Sequence, residues 1–323
     1  MHVIKKLLDK LNGLHFSQEY LCLSKELLEQ PLHVYLVENA RIIKDITQSH
    51  LFVGYSPLVF AFSSLTLGEN RDNLDIVFTS KPFHPNETAA KKDAIARLSL
   101  QKINTLAGLA DSIEFYQGIK GTHHFVSAFH QFIIQLTNKL YNKTAGNVFL
   151  RGNLYTQVQI AYSLPRKICL ITVGENNLYN LFPTDLHGQI NAREYIISLR
   201  HEGKACNQVE NAGKISLSEM PAGAYKKVYS LGKNHTRPLR DASEFDFASG
   251  HSTVFSLPLP NNVLAYKELM LEKSFIQGIH KILLFKIVHE EKLRVQPETL
   301  SHVHNCYATW RHNQGISSNF LLR

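Results

Sequence analysis

The sequence predicts an α+β protein made of two strand-rich units, each accompanied by helices. Three observations carry this expectation. Apolar residues follow a helical period up to about residue 30 and alternate in strand fashion after it. A polar stretch, Asn142-Lys143-Thr144-Ala145-Gly146, then separates two regions of apolar patterning. Beyond it, runs rich in β-branched residues recur as far as His289. A chain of 323 residues is long enough for two domains of ordinary size, and the polar stretch places them at 1–145 and 146–323.

Composition narrows the class. An apolar content of 44% with 19% charged residues belongs to a folded globular protein. Leu58 to Phe62 reads as a buried strand, far short of the ~20 apolar residues a membrane span needs. At the N-terminus, lysines alternate with apolar residues but Asp9 interrupts them and no small-residue cleavage site follows, so no secretory signal is expected. The four cysteines, Cys22, Cys169, Cys206 and Cys306, are scattered without a CxxC pair, which suits buried thiols in a cytoplasmic protein. The three glycosylation-type matches at Asn86, Asn142 and Asn234 therefore carry no weight.

The formal net charge of +8 is uneven: residues 1–150 contribute +2 and residues 151–323 contribute +6. A positive field on the second half suits a phosphate-bearing ligand, or simply a solvated surface. No run of five basic residues and no aromatic RNA-binding signature accompanies it, so nucleic acid is not an expected partner.

In chain order, Val3, Ile4, Leu7, Leu8 and Leu11 share one helical face, and after Ser17 as an N-cap Tyr20, Leu21, Leu27 and Leu28 extend the pattern. Residues 32–37, 41–46, 51–63 and 74–79 read as strands, with a bend at Ser56-Pro57. Asn86 is placed to cap a helix over 87–103 with Ala94, Ile95 and Leu98 inward. Phe125, Phe129, Phe132, Ile133, Leu136 and Leu140 recur at three- and four-residue steps, predicting a helix over 123–141 whose aromatic stripe faces a core or a subunit interface. Strands are expected over 149–162, 167–173, 195–199, 214–217, 253–257 and 279–289, with helical pieces near 205–212 and 224–231. Residues 232–251 form a long irregular connection, of the kind that often serves as a lid or binding segment. Both halves have a strand-rich core with helices after it, so a remote duplication is conceivable, although no repeat of solenoid period is visible.

Several chemistries are disfavoured. There is no G-x-G-x-x-G after a strand, no phosphate-binding P-loop and no G-x-S-x-G elbow. Among 17 histidines, His302, His304 and Cys306 alternate as on one strand face, and His123, His124 and His130 form a looser group. Neither supplies the ligand set of a zinc site, so no metal is expected.

The order of segments from Lys167 to Pro221 is the most specific feature. An apolar run ends in Gly174-Glu175-Asn176, a polar loop follows, the strand-like run Glu194 to Leu199 comes next, and a short helix closes at Ala212-Gly213-Lys214. This order resembles the flavin reductase-like, FMN-binding split-barrel family, over roughly residues 150–300. The late run Gln277 to Phe285, with Gly278 and His280, resembles a later strand of the same family. The resemblance implies a split β-barrel in the second half, FMN as cofactor, NAD(P)H or a small-molecule electron acceptor as partner, and a homodimer. By position it assigns flavin contacts to Asn180, Thr184 and Asp185 in the loop, Ser198 and Arg200 at the strand end, and Lys204 at the helix start. Arg200 and Lys204 suit a phosphate dianion beside a helix N-terminus. His187 and His280 become the candidate catalytic groups, His187 as a general acid near its free pKa. Two departures, Leu181-Phe182-Pro183 in place of a small Ser/Thr pair and Asn191-Ala192-Arg193 in place of Pro-Pro, leave a second reading open: a non-enzymatic split-barrel protein that has lost or only stores flavin. Both readings are carried forward.

Overall fold

A computed structural model describes residues 12–25, 28–69, 71–83, 94–141, 148–295, 298–316 and 320–321. The expected helix over the first eleven residues, Leu27, the Asn86 cap and the interdomain stretch 142–146 lie outside these. Strand β1 (Tyr20–Leu23) comes first. The first half then builds hairpin β2 (His33–Glu38) and β3 (Arg41–Asp45), and hairpin β4 (Leu51–Tyr55) and β5 (Leu58–Ser63). One turn of helix, α1 (Ser64–Leu67), leads to β6 (Asn73–Thr79) and the long hairpin β7 (Ala96–Ala107) and β8 (Ser112–His123). Helices α2 (Ala128–Tyr141) and α3 (Asn153–Ala161) follow.

After the short β9 (Arg166–Lys167), the second half repeats this plan. Hairpin β10 (Cys169–Glu175) and β11 (Leu178–Thr184) is followed by hairpin β12 (His187–Gln189) and β13 (Glu194–Arg200). Helix α4 (Lys204–Ala212) leads to β14 (Lys214–Glu219). A long insertion holds α5 (Tyr225–Ser230), β15 (Arg240–Asp241), β16 (Phe247–His251) and β17 (Pro258–Pro260). The long hairpin β18 (Ala265–Gln277) and β19 (His280–Lys292) completes the unit. Strand β20 (Ser301–His304), helix α6 (Asn305–Asn313) and β21 (Phe320–Leu321) close the chain. Within the described residues no helix is long and apolar enough to cross a membrane.

The repetition is topological, strand for strand. The first sheet runs β3-β2-β6-β7-β8-β5-β4, and the second, read from its other edge, runs β15-β11-β10-β14-β18-β19-β13-β12. Matching strands in chain order superposes the two orders, with β15 added at one edge. Every pairing in both sheets is antiparallel. The first hairpin of each half turns on two residues of positive φ, Asn39 (48°) with Ala40 (63°) and Asn176 (51°) with Asn177 (63°). Asparagine tolerates this left-handed conformation better than most side chains, which is why it marks both turns.

The two halves meet through a shared apolar cluster. Val53, Val59, Ala61, Ile113 and Phe115 of the first half pack against Ile196, Ile282 and Leu284 of the second. The contact is reciprocal. The turn of β18–β19 sits on the β4–β5 turn, where Ile279 N–H donates to the Ser56 carbonyl at 3.0 Å. The turn of β7–β8 sits on the approach to β13, where Leu109 N–H donates to Glu194 Oε1 at 2.8 Å and Asn191 Nδ2 donates to Asp111 Oδ1 at 3.1 Å. Around the first sheet, β1, α3 and α6 complete the largest core, which includes Leu21, Val158, Ile160 and Tyr307. In the second half, α4 buries Ala205, Cys206 and Val209 against β10, β13 and β19.

Several sequence expectations change. Residues 96–107 are a strand rather than a helix, because Ala96, Leu98 and Leu100 alternate inward even though Ala94, Ile95 and Leu98 also fit a helical step. Residues 20–23 are likewise a strand, paired with β20. The expected strand over 149–162 is helix α3, a buried helix whose residues 155–161 are all inside, so that it shows no polar face. Residues 253–257 form turns, and β8 and β18 were not foreseen. Helix α2 lies within the expected span, but of the two settings expected for its stripe the core is not the one found: Phe129 and Phe132 are each 64% exposed, while Ile134 is buried.

Gly278 gives a direct test of the junction. It sits at φ +60°, and a Cβ there would overlap Pro57 and the Ser56 carbonyl. Gly278→Ala is expected to cost about 2–4 kcal/mol of unfolding free energy, whereas Gly223→Ala, facing open space, stays within about 0.5 kcal/mol. Urea denaturation of the two variants checks both.

Candidate functional site

A cavity of about 860 Å³ opens at the seam between the halves. Tyr55, at the end of β4, lines it together with Tyr20, Tyr155 and Tyr162; the ends of β11 and β13, the starts of α4 and β19, and Tyr229 and His302 also line it. The segment Leu231–Thr236 closes over it. That segment is clipped to β11 by Asn234 Nδ2 donating to the Leu181 carbonyl (2.7 Å), Asn180 Nδ2 donating to the Asn234 carbonyl (3.0 Å) and His235 Nε2 donating to the Pro183 carbonyl (2.8 Å).

One end of the cavity is electropositive. Arg200 sits at its mouth, donating through Nε and Nη2 to the Tyr55 hydroxyl at 2.9 and 2.7 Å. Helix α4 begins beside it at Gly203, whose lack of a side chain leaves the first-turn N–H groups without a side-chain cap. Gly203 and Ala205 both line the cavity, so the positive end of the helix dipole faces it. Next to these, the Ser198 hydroxyl and both ring nitrogens of His280 are buried and have no hydrogen-bond partner among the described residues. Buried polar groups are rarely left unsatisfied, and three such atoms converging on one cavity mark a place where a ligand's polar atoms fit. His280 packs edge-on against Tyr55 at 4.5 Å. Burial, reinforced by the Arg200 charge, lowers its pKa to about 4, so the imidazole is neutral at pH 7.

On another part of the wall, Asp185 anchors a hydrogen-bonded chain. Its Oδ2 accepts from the Tyr162 hydroxyl at 2.8 Å and from His302 Nε2 at 2.9 Å. Nε2 is thereby the protonated nitrogen, leaving His302 Nδ1 to accept from the Tyr229 hydroxyl at 2.9 Å. Burial pushes the Asp185 carboxyl up, but the His302 and Tyr162 hydrogen bonds and the Arg166 charge outweigh it and hold the group well below the usual carboxylate range. Asp185, Tyr162, His302 and Tyr229 all line the cavity, so this part of its wall is a connected set of proton-bearing groups around one ionised carboxylate.

Of the residues singled out from the sequence, Thr184, Asp185, Ser198, Arg200 and His280 come together in this one cavity. Asn180, His187 and Lys204 do not line it. Asn180 is buried in β11 and spends its amide on Gln208 (2.8 Å), the Asn234 carbonyl and Leu181 N–H. His187 is buried too: Nε2 donates to the Lys167 carbonyl at 3.1 Å, and the Tyr195 hydroxyl donates to Nδ1 at 2.7 Å. Burial and the neighbouring Arg166 and Lys167 charges lower its pKa to about 3, the opposite of the near-free value a general acid would need. Lys204 is exposed on the first turn of α4. The loop expected over 180–188 is largely strand, with Leu181 and Phe182 in the core. His304 does not join a metal set: it caps α6 by accepting from Cys306 N–H at 3.1 Å, and Cys306 lies in the helix. Tyr55 and Tyr229 were not foreseen, and no sequence pattern ties Tyr55 to Arg200 across 145 positions.

No family model and no curated protein matches the sequence. Solved structures do show a likeness. An FMN-binding protein from Thermus thermophilus with bound p-hydroxybenzaldehyde is 20% identical, with a TM-score of 0.36, over 40% of this chain and 73% of that one. The flavin reductase component of a bacterial two-component tryptophan halogenase is 17% identical, with a TM-score of 0.41, over 47% of this chain and 94% of that one. A Streptomyces globisporus NADH:FAD oxidoreductase is 14% identical, with a TM-score of 0.40, over 47% and 89%. The chain is thus similar in part of its fold to flavin reductases and FMN-binding proteins.

The buried histidines generate a pH dependence. His187 and His280 bind protons less well in the folded chain (about 3 and about 4) than at the ordinary value of 6.5 when unfolded. Their contribution to stability is therefore full above pH 6.5 and is lost as the pH falls towards 4, by about 1–2 kcal/mol each at pH 5. Urea midpoints at pH 7.5, 6 and 5 are expected to fall in that order, with a shallower slope in His187→Gln. An unchanged slope in that variant would show that His187 titrates normally.

Proposed function

We propose that the chain binds FMN in the seam cavity and acts as a flavin reductase-like oxidoreductase, taking hydride from NAD(P)H and passing electrons to a small acceptor. The observation that carries this is the set of unpartnered polar atoms on Ser198 and His280, buried beside Arg200 and the uncapped start of α4. A cavity of about 860 Å³ is in the size range of small-molecule and cofactor sites. When bound, the flavin supplies the hydride chemistry, and the protein supplies orientation and charge.

In this reading Arg200 and the first-turn N–H groups of α4 hold the phosphate, a helix N-terminus and a guanidinium being its natural partners. Lys204, exposed on the same turn, adds charge at longer range. Ser198 and Thr184 offer hydroxyls. His280, neutral at pH 7, offers one N–H and one acceptor nitrogen. Asp185 stays ionised, its Oδ2 held by His302 and Tyr162, so the anionic group of the ligand belongs at Arg200 and α4 rather than beside it. The Asp185–His302–Tyr229 chain can hold and return a proton at the Tyr229 hydroxyl on the cavity wall. The homodimer implied by the resemblance is not required to complete the site, because Tyr55 reaches it from the first half.

The second reading, a protein that holds flavin without turnover, draws on Leu181 and Phe182. They are core side chains of β11 at the place where the resemblance leads one to look for small hydroxyl residues.

The visible spectrum of the protein after FMN addition and gel filtration tests the binding. Retained flavin bands are expected, with Arg200→Ala weakening affinity at least about tenfold and Lys204→Ala by less. A protein that stays colourless would overturn the proposal. Oxidation of NADH or NADPH by the loaded protein separates the enzyme from the storage reading.

A further inference from the structure

The two halves meet at two topologically equivalent junctions, and these have opposite chemistry. Each is formed where the fourth strand of one half ends beside the turn of its own long hairpin, and that turn is seated on the other half. At the first junction the strand end carries Ser198 and Arg200, the turn leads into His280, and the opposing half supplies Tyr55. At the second, β5 ends at Ser63, the turn carries Asp111, and the opposing half supplies Asn191 and Glu194.

The first junction holds buried polar atoms without partners and a nine-residue helix, α4, that starts at the cavity. The second is filled and satisfied. Glu194 is 1% exposed and accepts from Leu109 N–H (2.8 Å) and Asn191 Nδ2 (2.7 Å). Asp111 accepts from Asn191 Nδ2 (3.1 Å) and from the Ser63 hydroxyl. Gly108 packs so closely on Glu194 that a Cβ would come within 2.6 Å of its carboxylate. The helix at the equivalent place, α1, has only four residues. Two carboxylates with their hydrogen bonds already made exclude a phosphate by charge and by volume.

We infer that the chain is a fused pair: its halves stand where two copies of one unit would pair, one junction takes a phosphate-bearing ligand, and the other is sealed by Asp111, Glu194 and Asn191. The reciprocal seating of turn on opposite half is the pattern of an isologous dimer interface, here contained within one polypeptide. A single chain is then the complete binding unit, with one ligand per chain. The identity of the ligand rests on the flavin reading above; the pairing of the halves does not.

Light scattering of the gel-filtered full chain, combined with titration of FMN by fluorescence quenching, tests it. The expected result is a mass of one chain, 36.7 kDa, and one FMN per chain. A mass of two chains would overturn the claim that the halves replace a dimer. Two flavins per chain would overturn the sealing of the second junction. A single-chain mass with no FMN uptake would sink the flavin reading, and the role given to the open junction with it, while upholding the pairing of the halves.

Discussion

The seating of each long hairpin turn on the opposite half is the contact on which the rest of the molecule depends. It brings Phe115 and Phe275 within 4.9 Å, buries the apolar faces of β5, β8, β13 and β19 in one cluster, and fixes where the strand ends project. Those ends carry the polar groups. Without the seam, Tyr55 and Arg200 would belong to separate units, and Ser198 and His280 would lie at a solvent-facing strand terminus. Burying several large apolar side chains there contributes about 1.5–3 kcal/mol each, enough to hold the seam against the cost of burying polar atoms beside it.

Within the seam cavity, electrostatics differ from one part of the wall to another. The electropositive part combines Arg200 with the positive end of α4, and the neutral His280 adds hydrogen-bonding capacity without more charge. The other part is governed by Asp185, whose carboxylate is kept ionised by two donors. Each group is conditioned by its neighbour: the Arg200 charge helps to hold His280 neutral, and His302 keeps Asp185 charged.

Much of the strand pattern was legible because short runs rich in apolar and β-branched residues, bounded by turn residues, are a local signal: β2, β3, β4, β5, β6, β10, β13 and β14 lie on such runs. Ambiguity arose where burial removes the contrast between faces. Helix α3 is buried along 155–161, so it reads as a continuous strand, and in β7 the alternating set and a helical set share Leu98. Ser198, Arg200 and His280, singled out through the family resemblance, do line one cavity. His187 looked functional because ionisable groups clustered in its segment, yet its ring is spent on Tyr195 and Lys167. Tyr55 was invisible, since its role arises only when two remote turns meet.

The four-residue α1 and the nine-residue α4 occupy the same place in the two halves, and that difference has a hereditary meaning. In a pair of identical subunits every substitution is written into both walls at once, so neither binding region can be given up without the other. In a chain that carries both units in one reading frame, each wall is inherited separately. One junction can then carry a cross-braced carboxylate plug and serve as scaffold while the other carries an opening.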